Sequence, residues 1–117
     1  MEYEKICDEI LRCDEKIRYV GIYDYGELVD KIKPGLESYL SREETEMSLS
    51  HAVYRWSTRK KTTEKIGKPV FALAKYEKIF RVTVPVGGAG LILISTELDA
   101  NILDIIEKIL KIKNKYP

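Results

Sequence analysis

The chain has 117 residues, of which 44% are hydrophobic and 33% charged, a balance that indicates one globular domain over residues 1–117. Its 20 Lys and Arg residues nearly match its 19 Asp and Glu residues, so the overall charge argues against nucleic acid or an anionic membrane as partner. The N-terminus lacks a signal sequence and no apolar run approaches the roughly 20 residues that span a bilayer, so we expect a cytoplasmic protein.

The first predicted element is a helix that runs from Met1 to about Asp14. Its apolar side chains follow the i, i+3, i+4, i+7, i+8 spacing of a single helical face. These residues are Tyr3, Ile6, Cys7, Ile10 and Leu11.

The two cysteines, Cys7 and Cys13, form neither a Cys-x-x-Cys motif nor a zinc-ligand pattern, and His51 is the one histidine that could assist them. On a shared helix their side chains point in different directions. We therefore expect reduced thiols, with Cys7 in the core and Cys13 near the helix end. We expect no disulfide, metal or other cofactor.

A β-hairpin is predicted next, because two runs rich in β-branched and aromatic residues flank a turn sequence. The strands are Ile17–Asp24 and Glu27–Ile32, with Asp24-Tyr25-Gly26 as the turn. Pro34-Gly35 ends the hairpin, and residues 36–40 form a connecting loop.

Ser41 and Glu44 match a capping box, in which the serine oxygen accepts an unpaired N–H and the carboxylate reaches back to the cap. A long helix is predicted from there to about Ile66, with Gly67 as its left-handed stop. Acidic residues lie early in this helix and basic residues lie late, as the helix dipole favours.

Three further strands are predicted at Val70–Lys75, Ile79–Val86 and Leu91–Thr96, and Asp99 is predicted to cap a last helix. Apart from the connection through the long helix, every link between strands is short enough for a hairpin. The order α-β-β-α-β-β-β-α therefore predicts an α+β fold with one five-stranded antiparallel sheet flanked by helices.

This order of elements, which covers nearly the whole chain, resembles that of the roadblock/LC7 domain, a relative of the longin and profilin-like folds. Roadblock relatives usually form homodimers and serve as platforms for small GTPases or motor complexes. The resemblance therefore implies a homodimer that binds a further protein, with a small GTPase as the candidate.

Three segments also resemble small uncharacterised proteins of ammonia-oxidising archaea. The segments are Lys16–Asp24, Arg55–Lys60 and Lys68–Ala74. This resemblance implies an archaeal source, but because those proteins carry no established activity, it implies no function.

The long helix carries two stripes of side chains. One stripe, which we expect to lie on the sheet, consists of Leu49, Ala52, Val53 and Trp56. The other, on roughly the opposite side, consists of Met47, His51, Tyr54 and Thr58. The second stripe predicts a self-association surface, where two copies of the helix meet across a two-fold axis. The alternatives are an ordinary semi-polar exposed face and a face covered by the loop of residues 34–40.

A basic patch lies near the end of the same helix, beside Trp56. Its members are Arg55, Arg59, Lys60 and Lys61. Such a patch fits a phosphate, a nucleotide or an acidic segment of a partner, and it equally fits a solvated face that complements the helix C-terminus.

The glycine-rich residues 87–90 are predicted as a hairpin turn rather than a phosphate loop, because a strand follows them instead of a lysine and a helix.

Catalysis has little support in the sequence. His51 is the only histidine, and the serines beside it do not reproduce a nucleophile–base arrangement. We therefore predict a non-catalytic interaction module, a homodimeric roadblock-like scaffold or regulator. The alternative is a small-molecule-binding sensory domain, which the tyrosine-rich first hairpin (Tyr19, Tyr23, Tyr25) would suit and which a pocket between the sheet and the last helix would favour.

Overall fold

The computed structural model describes residues 2–116, and over this range the predicted order of elements is present. The helices are α1 (Tyr3–Cys13), α2 (Arg42–Arg59), α3 (Thr63–Ile66) and α4 (Ile102–Asn114). The strands are β1 (Ile17–Asp24), β2 (Glu27–Ile32), β3 (Ala72–Lys75), β4 (Phe80–Val86) and β5 (Gly90–Thr96). Met1, where the first helix is predicted to begin, lies outside the described residues.

The five strands form one sheet in the order β2-β1-β5-β4-β3, and each neighbouring pair is antiparallel. The predicted α+β fold is therefore confirmed. β5 lies at the centre and is buried along its whole length, while β2 and β3 are the two edges. Because α2 connects β2 to β3, it crosses the sheet from one edge to the other.

Helices α1 and α4 cover one face of the sheet, where the larger core lies. Alternation along β5 places Ile92 and Ile94 on this face and Leu91 and Leu93 on the other. The helices meet the sheet with fully buried isoleucines, namely Ile6, Ile10, Ile105, Ile106 and Ile109.

Helix α2 covers the opposite face. Of its predicted inner stripe, Leu49, Ala52 and Trp56 are buried and Val53 is partly buried. They pack on a layer that includes the leucines of β5. The inner stripe is therefore confirmed.

The predicted long helix is interrupted. α2 ends at Arg59, and residues 60–62 form a 3-10 turn before α3. The hydroxyls of Thr62 and Thr63 donate to the carbonyls three residues earlier, at 3.0 and 2.7 Å, and such bonds compete with helical backbone bonds. Gly67 ends α3 with the positive φ of 88° that its role as a stop predicts, but its ψ of 173° is not left-handed helical.

The last helix is capped by Asn101 and not, as predicted, by Asp99. Asn101 Oδ1 accepts the Asp104 N–H at 3.4 Å, whereas the Asp99 carboxylate accepts a bond from Lys16 Nζ at 2.8 Å. That hydrogen bond holds the pKa of Asp99 below its usual range. Both residue types cap helices well, and in the fold the Asp99 carboxylate binds Lys16 instead.

Strand β3 begins at Ala72 rather than at Val70. Ala72 pairs with Thr83, so extending the same register would place Val70 opposite Pro85. Proline has no N–H to donate to a neighbouring strand, and the ladder ends before it. The starts of β4 and β5 differ from the predicted ones by a single residue.

The two thiols of α1 are free. Cys7 is buried and Cys13 is partly exposed at the helix end, and these positions are the predicted ones. Burial raises the pKa of Cys7 to about 12 and also raises the pKa of Cys13.

Because the thiolate is the reactive form, we expect a maleimide to modify Cys13 first and Cys7 only after denaturation. Mass spectrometry of a timed reaction measures this order. A Cys13→Ser variant that is labelled rapidly without denaturant would contradict it.

Candidate interaction surface on helix α2

Helix α2 is fixed to the sheet at both ends. At its start, the capping box on Ser41 is present, and the Arg42 guanidinium donates to the Asp30 carboxylate at 3.1 Å. Near its end, the Trp56 indole N–H donates to the Thr83 hydroxyl at 2.9 Å. The helix that carries the outward side chains is therefore anchored to β2 and β4.

The four residues of the predicted outer stripe all face solvent. Met47 is 64% exposed and Tyr54 is 75% exposed, and His51 and Thr58 are exposed as well. The loop of residues 34–40 therefore does not cover this face, which removes one of the alternatives. Two interpretations remain: a contact surface, and an ordinary semi-polar face.

An open groove runs along the outer side of α2. Met47 and His51 line its middle, and Glu44 and Arg55 line it to either side of them along the helix. Tyr76, from the turn between β3 and β4, contributes a further wall. The groove thus presents an acid, an apolar side chain, an imidazole and a base in succession.

Residues of the predicted basic patch border two different grooves. Arg55 and Arg59 line a groove between α2 and β3, whereas Lys60 lines a different groove beside the β4–β5 turn. Lys61 is exposed in the 3-10 turn. Arg81 of β4 joins the two arginines, and sequence reasoning missed it because it lies on a strand distant in the chain. Within residues 2–116, none of these five cations forms an ion pair.

Within residues 2–116, strand β3 has no strand on its outer side, so it gives the same side of the molecule a free sheet edge. Leu73 on this strand is 40% exposed, and Phe71 just before it is 38% exposed. An exposed apolar edge is a template for pairing with another strand. Sequence reasoning did not identify this edge, because the pattern of strands does not reveal their order in the sheet.

The tyrosines of the first hairpin separate into two environments. Tyr19 and Tyr23 pack in the layer beneath α2, while Tyr25 is exposed at the turn. The Tyr19 hydroxyl donates to the Asp30 carboxylate at 2.9 Å, and burial raises its pKa strongly, so it remains protonated. Two of the three tyrosines therefore support the sheet–helix layer rather than form a common ligand site.

The surface around His51 offers few reactive arrangements. The Ser48 hydroxyl nearby accepts a hydrogen bond from Arg81 at 3.0 Å. Within residues 2–116, no group of three or more His, Cys, Asp and Glu side chains could hold a metal ion. Over the same range, no helix combines the length and the apolar character needed to cross a bilayer.

Comparison with known proteins found solved structures of the same architecture. A roadblock/LC7 domain from Streptomyces avermitilis superposes with a TM-score of 0.72 at 6% identity, over 95% of this chain and 91% of that one. Myxococcus xanthus MglB gives 0.78 at 11% identity, over 98% and 91%. An MglB in a tetrameric arrangement gives 0.66 at 14% identity, over 96% and 88%. No protein-family model matches the chain, and no curated protein matches it.

The chain therefore has the roadblock/LC7 fold, as the resemblance in element order predicts. Among the structures that share this fold with it are MglB proteins. Sequence identities of 6 to 14% show the fold alone, so the function has to be argued from this chain's own surface.

Proposed function

We propose that this chain is a non-catalytic interaction module, a homodimeric roadblock-like scaffold or regulator whose residues 1–117 act as one domain. The observation that carries the proposal is the outer stripe of α2, where Met47 and Tyr54 expose large apolar side chains. Large apolar side chains that cluster on a surface mark contact sites in soluble proteins. An isologous contact lets one such stripe cover another.

The β3 edge extends the proposed surface. The groove between α2 and β3 joins the two elements, so a second copy that covers α2 also approaches the free strand edge. Backbone N–H and C=O groups along such an edge add directional hydrogen bonds to an apolar contact. The exposed Phe71 and Leu73 would then lose solvent contact in the dimer.

The structural neighbours support self-association, since one of them is an MglB in a tetrameric arrangement. For the second partner we propose a small GTPase, because the roadblock resemblance implies a platform for such proteins. The proposed division of the surface leaves the face of α1 and α4 and the β2 edge open for that partner.

Replacing Tyr54 with glutamate is expected to convert the dimer into a monomer. Each copy would then bring an unpaired carboxylate into a desolvated contact, where such a charge is costly. Multi-angle light scattering at several concentrations measures the change in mass.

A matched control for Tyr54→Glu is Leu103→Glu. Leu103 is also an exposed apolar residue on a helix, at 62% exposure, but it lies on α4 on the opposite side of the sheet. We expect this variant to remain dimeric. A wild-type protein that stays monomeric at high concentration would contradict the proposed function.

The packing argues against the sensory alternative. A pocket between the sheet and α4 would favour it, but there Ile105, Ile106 and Ile109 are fully buried against Ile92 and Ile94. Side chains at core packing density leave little room for a ligand. We therefore do not propose a small-molecule function.

A further inference from the structure

The groove between α2 and β3 gathers cations with no acid among them. Three arginines line it, Arg55 and Arg59 from α2 and Arg81 from β4. Over the part of the chain that the structure describes, no Asp or Glu lines this groove, and none of the three guanidinium groups forms an ion pair. Arg55 and Arg59 lie one helical turn apart, so they are neighbours on the helix surface. The groove therefore offers unpaired positive charge to an anion.

Two of these guanidinium groups are positioned by aromatic rings. The guanidinium carbon of Arg59 lies 5.3 Å from the centroid of the Trp56 ring. The guanidinium carbon of Arg81 lies 5.9 Å from the centroid of the Tyr76 ring, and Arg81 also donates to the Ser48 hydroxyl at 3.0 Å. A contact with a ring occupies no acceptor oxygen, so most of the five N–H donors of each guanidinium group stay available to a ligand.

Two hydroxyl groups add to the donors of the groove. The Thr83 oxygen accepts the Trp56 N–H at 2.9 Å, and the Ser48 oxygen accepts the bond from Arg81. A hydroxyl whose oxygen already accepts can still donate its own hydrogen. Both hydroxyls line the groove, so guanidinium and hydroxyl donors surround the same space.

The helix dipole does not account for this set of cations. Only Arg59 lies in the last turn of α2, where a cation complements the helix C-terminus. Arg55 lies one turn earlier, and Arg81 lies partly buried on a strand. A ligand that all three arginines share explains their placement better than a solvated helix end does.

We propose that this groove binds the phosphate group of a small anionic molecule. A phosphate ester carries a charge of about −1.5 to −2 near neutral pH and three strong acceptor oxygens, which suits three guanidinium groups better than the single charge and two oxygens of a carboxylate. The groove has a volume of about 110 Å³, less than the roughly 150 Å³ of a cavity that holds benzene. One phosphate group therefore fills it, and the rest of an ester would lie outside.

This inference goes beyond the proposed function and needs no second copy, because all the lining residues belong to one chain. The proposed dimer would cover part of the groove, so binding is measured on both the wild type and the Tyr54→Glu variant. Tyr54 does not line the groove.

Isothermal titration calorimetry with inorganic phosphate, in about 0.1 M NaCl to screen distant charges, tests the inference. We expect saturable binding at one site per chain. Arg55→Ala, Arg59→Ala and Arg81→Ala should each raise the dissociation constant by about 10-fold, because each removes charge-assisted hydrogen bonds. Phenyl phosphate distinguishes the source of the group: tighter binding than inorganic phosphate identifies an ester as the ligand, and equal or weaker binding identifies the free ion.

Matched controls separate a specific site from the general charge of the surface. Lys61→Ala and Lys75→Ala each remove one positive charge nearby, at the end of α2 and on β3, but neither residue lines the groove. We expect each to change the dissociation constant less than about 2-fold, because exposed charges are screened. Arg81→Lys keeps the charge but loses the planar fork, so its affinity should be intermediate. Circular dichroism melts show whether each variant is folded.

The outcomes keep this inference apart from the proposed function. Phosphate binding that is absent or not saturable in both the wild type and Tyr54→Glu overturns the site, and so does binding that the lysine variants weaken as much as the arginine variants do. Neither result concerns the oligomeric state, so the homodimer would stand. A monomeric wild type that binds phosphate through the three arginines supports the site and overturns the homodimer.

Discussion

Replacing Trp56 with alanine is expected to lower the free energy of unfolding by about 3–5 kcal/mol, the range for buried aromatic residues. Trp56 is only 2% exposed, and it packs with Ala52 and Leu91 where α2 crosses the centre of the sheet. Its indole N–H also donates to the Thr83 hydroxyl at 2.9 Å. The substitution therefore removes apolar contact, opens a cavity and leaves the Thr83 hydroxyl without its donor.

Urea denaturation followed by far-ultraviolet circular dichroism measures this loss, because Trp56 is the only tryptophan and its fluorescence disappears with it. Trp56→Phe keeps a ring but removes the N–H, so we expect a smaller loss than for alanine. Arg59 lies over the indole, with its guanidinium carbon 5.3 Å from the ring centroid, and Arg59→Ala should cost about 1 kcal/mol or less. An alanine variant as stable as Arg59→Ala would contradict the docking of α2 through Trp56.

The same variant connects stability to the proposed function. Trp56 fixes the inner side of the helix whose outer side carries Met47 and Tyr54. If the helix loses this anchor, the outer side chains lose their fixed positions, and a preorganised contact weakens. We therefore expect Trp56→Ala to reduce dimerisation even under conditions where the protein remains folded.

The first hairpin shows what local sequence can determine. Its bounds were predictable because Asp24-Tyr25-Gly26 permits a tight turn, and both Tyr25 and Gly26 adopt positive φ, at 50° and 80°. The turn fixes the pairing of β1 with β2 within a few residues of chain. No distant contact is needed to select it.

The start of the last helix shows where local sequence is insufficient. Asp99 and Asn101 are both good helix caps, and only the fold brings Lys16 to Asp99. The start of strand β3 is a different case, because the sequence itself shows that Pro85 has no N–H with which to pair a neighbouring strand. Its effect on Val70 needed only the register of the β3–β4 hairpin.

Part of the candidate site could likewise be predicted from the sequence, and part of it needs the fold. Helical spacing alone predicted that Met47 and Tyr54 share the outward side of α2, because that spacing depends only on the helix. It could not predict that Lys60 lines a different groove from Arg59, or that Arg81 joins the arginines, since both depend on which strands lie beside the end of α2. The groove from Glu44 to Arg55 likewise needs the fold, because Tyr76 of a distant turn forms its wall.

A second large loss of stability is expected when Gly21, in the middle of β1, is replaced by alanine. A Cβ atom there would lie 2.6 Å from the Tyr19 hydroxyl and 3.2 Å from Leu28 Cδ1. Tyr19 leans along its own strand over Gly21 to reach Asp30, which pairs with Gly21 across the hairpin. We expect a loss of about 1–3 kcal/mol, the usual cost of overpacking, although alanine in a strand would otherwise be favoured over glycine.

Gly88→Ala is the matched control, because a Cβ atom at Gly88 would meet no atom within 4 Å, and its effect should stay within about 0.5 kcal/mol. Tyr19→Phe removes the hydroxyl that clashes, and on its own it should cost about 1 kcal/mol through the lost bond to Asp30. In the double variant the Tyr19–Asp30 bond is lost only once and the clash is reduced. The loss of stability should therefore be smaller than the sum of the losses of the two single variants. Strict additivity in urea denaturation would show that the loss caused by Gly21→Ala does not depend on the Tyr19 hydroxyl. The glycine would then have no part in how Tyr19 positions Asp30, which accepts a hydrogen bond from Arg42, the first residue of α2.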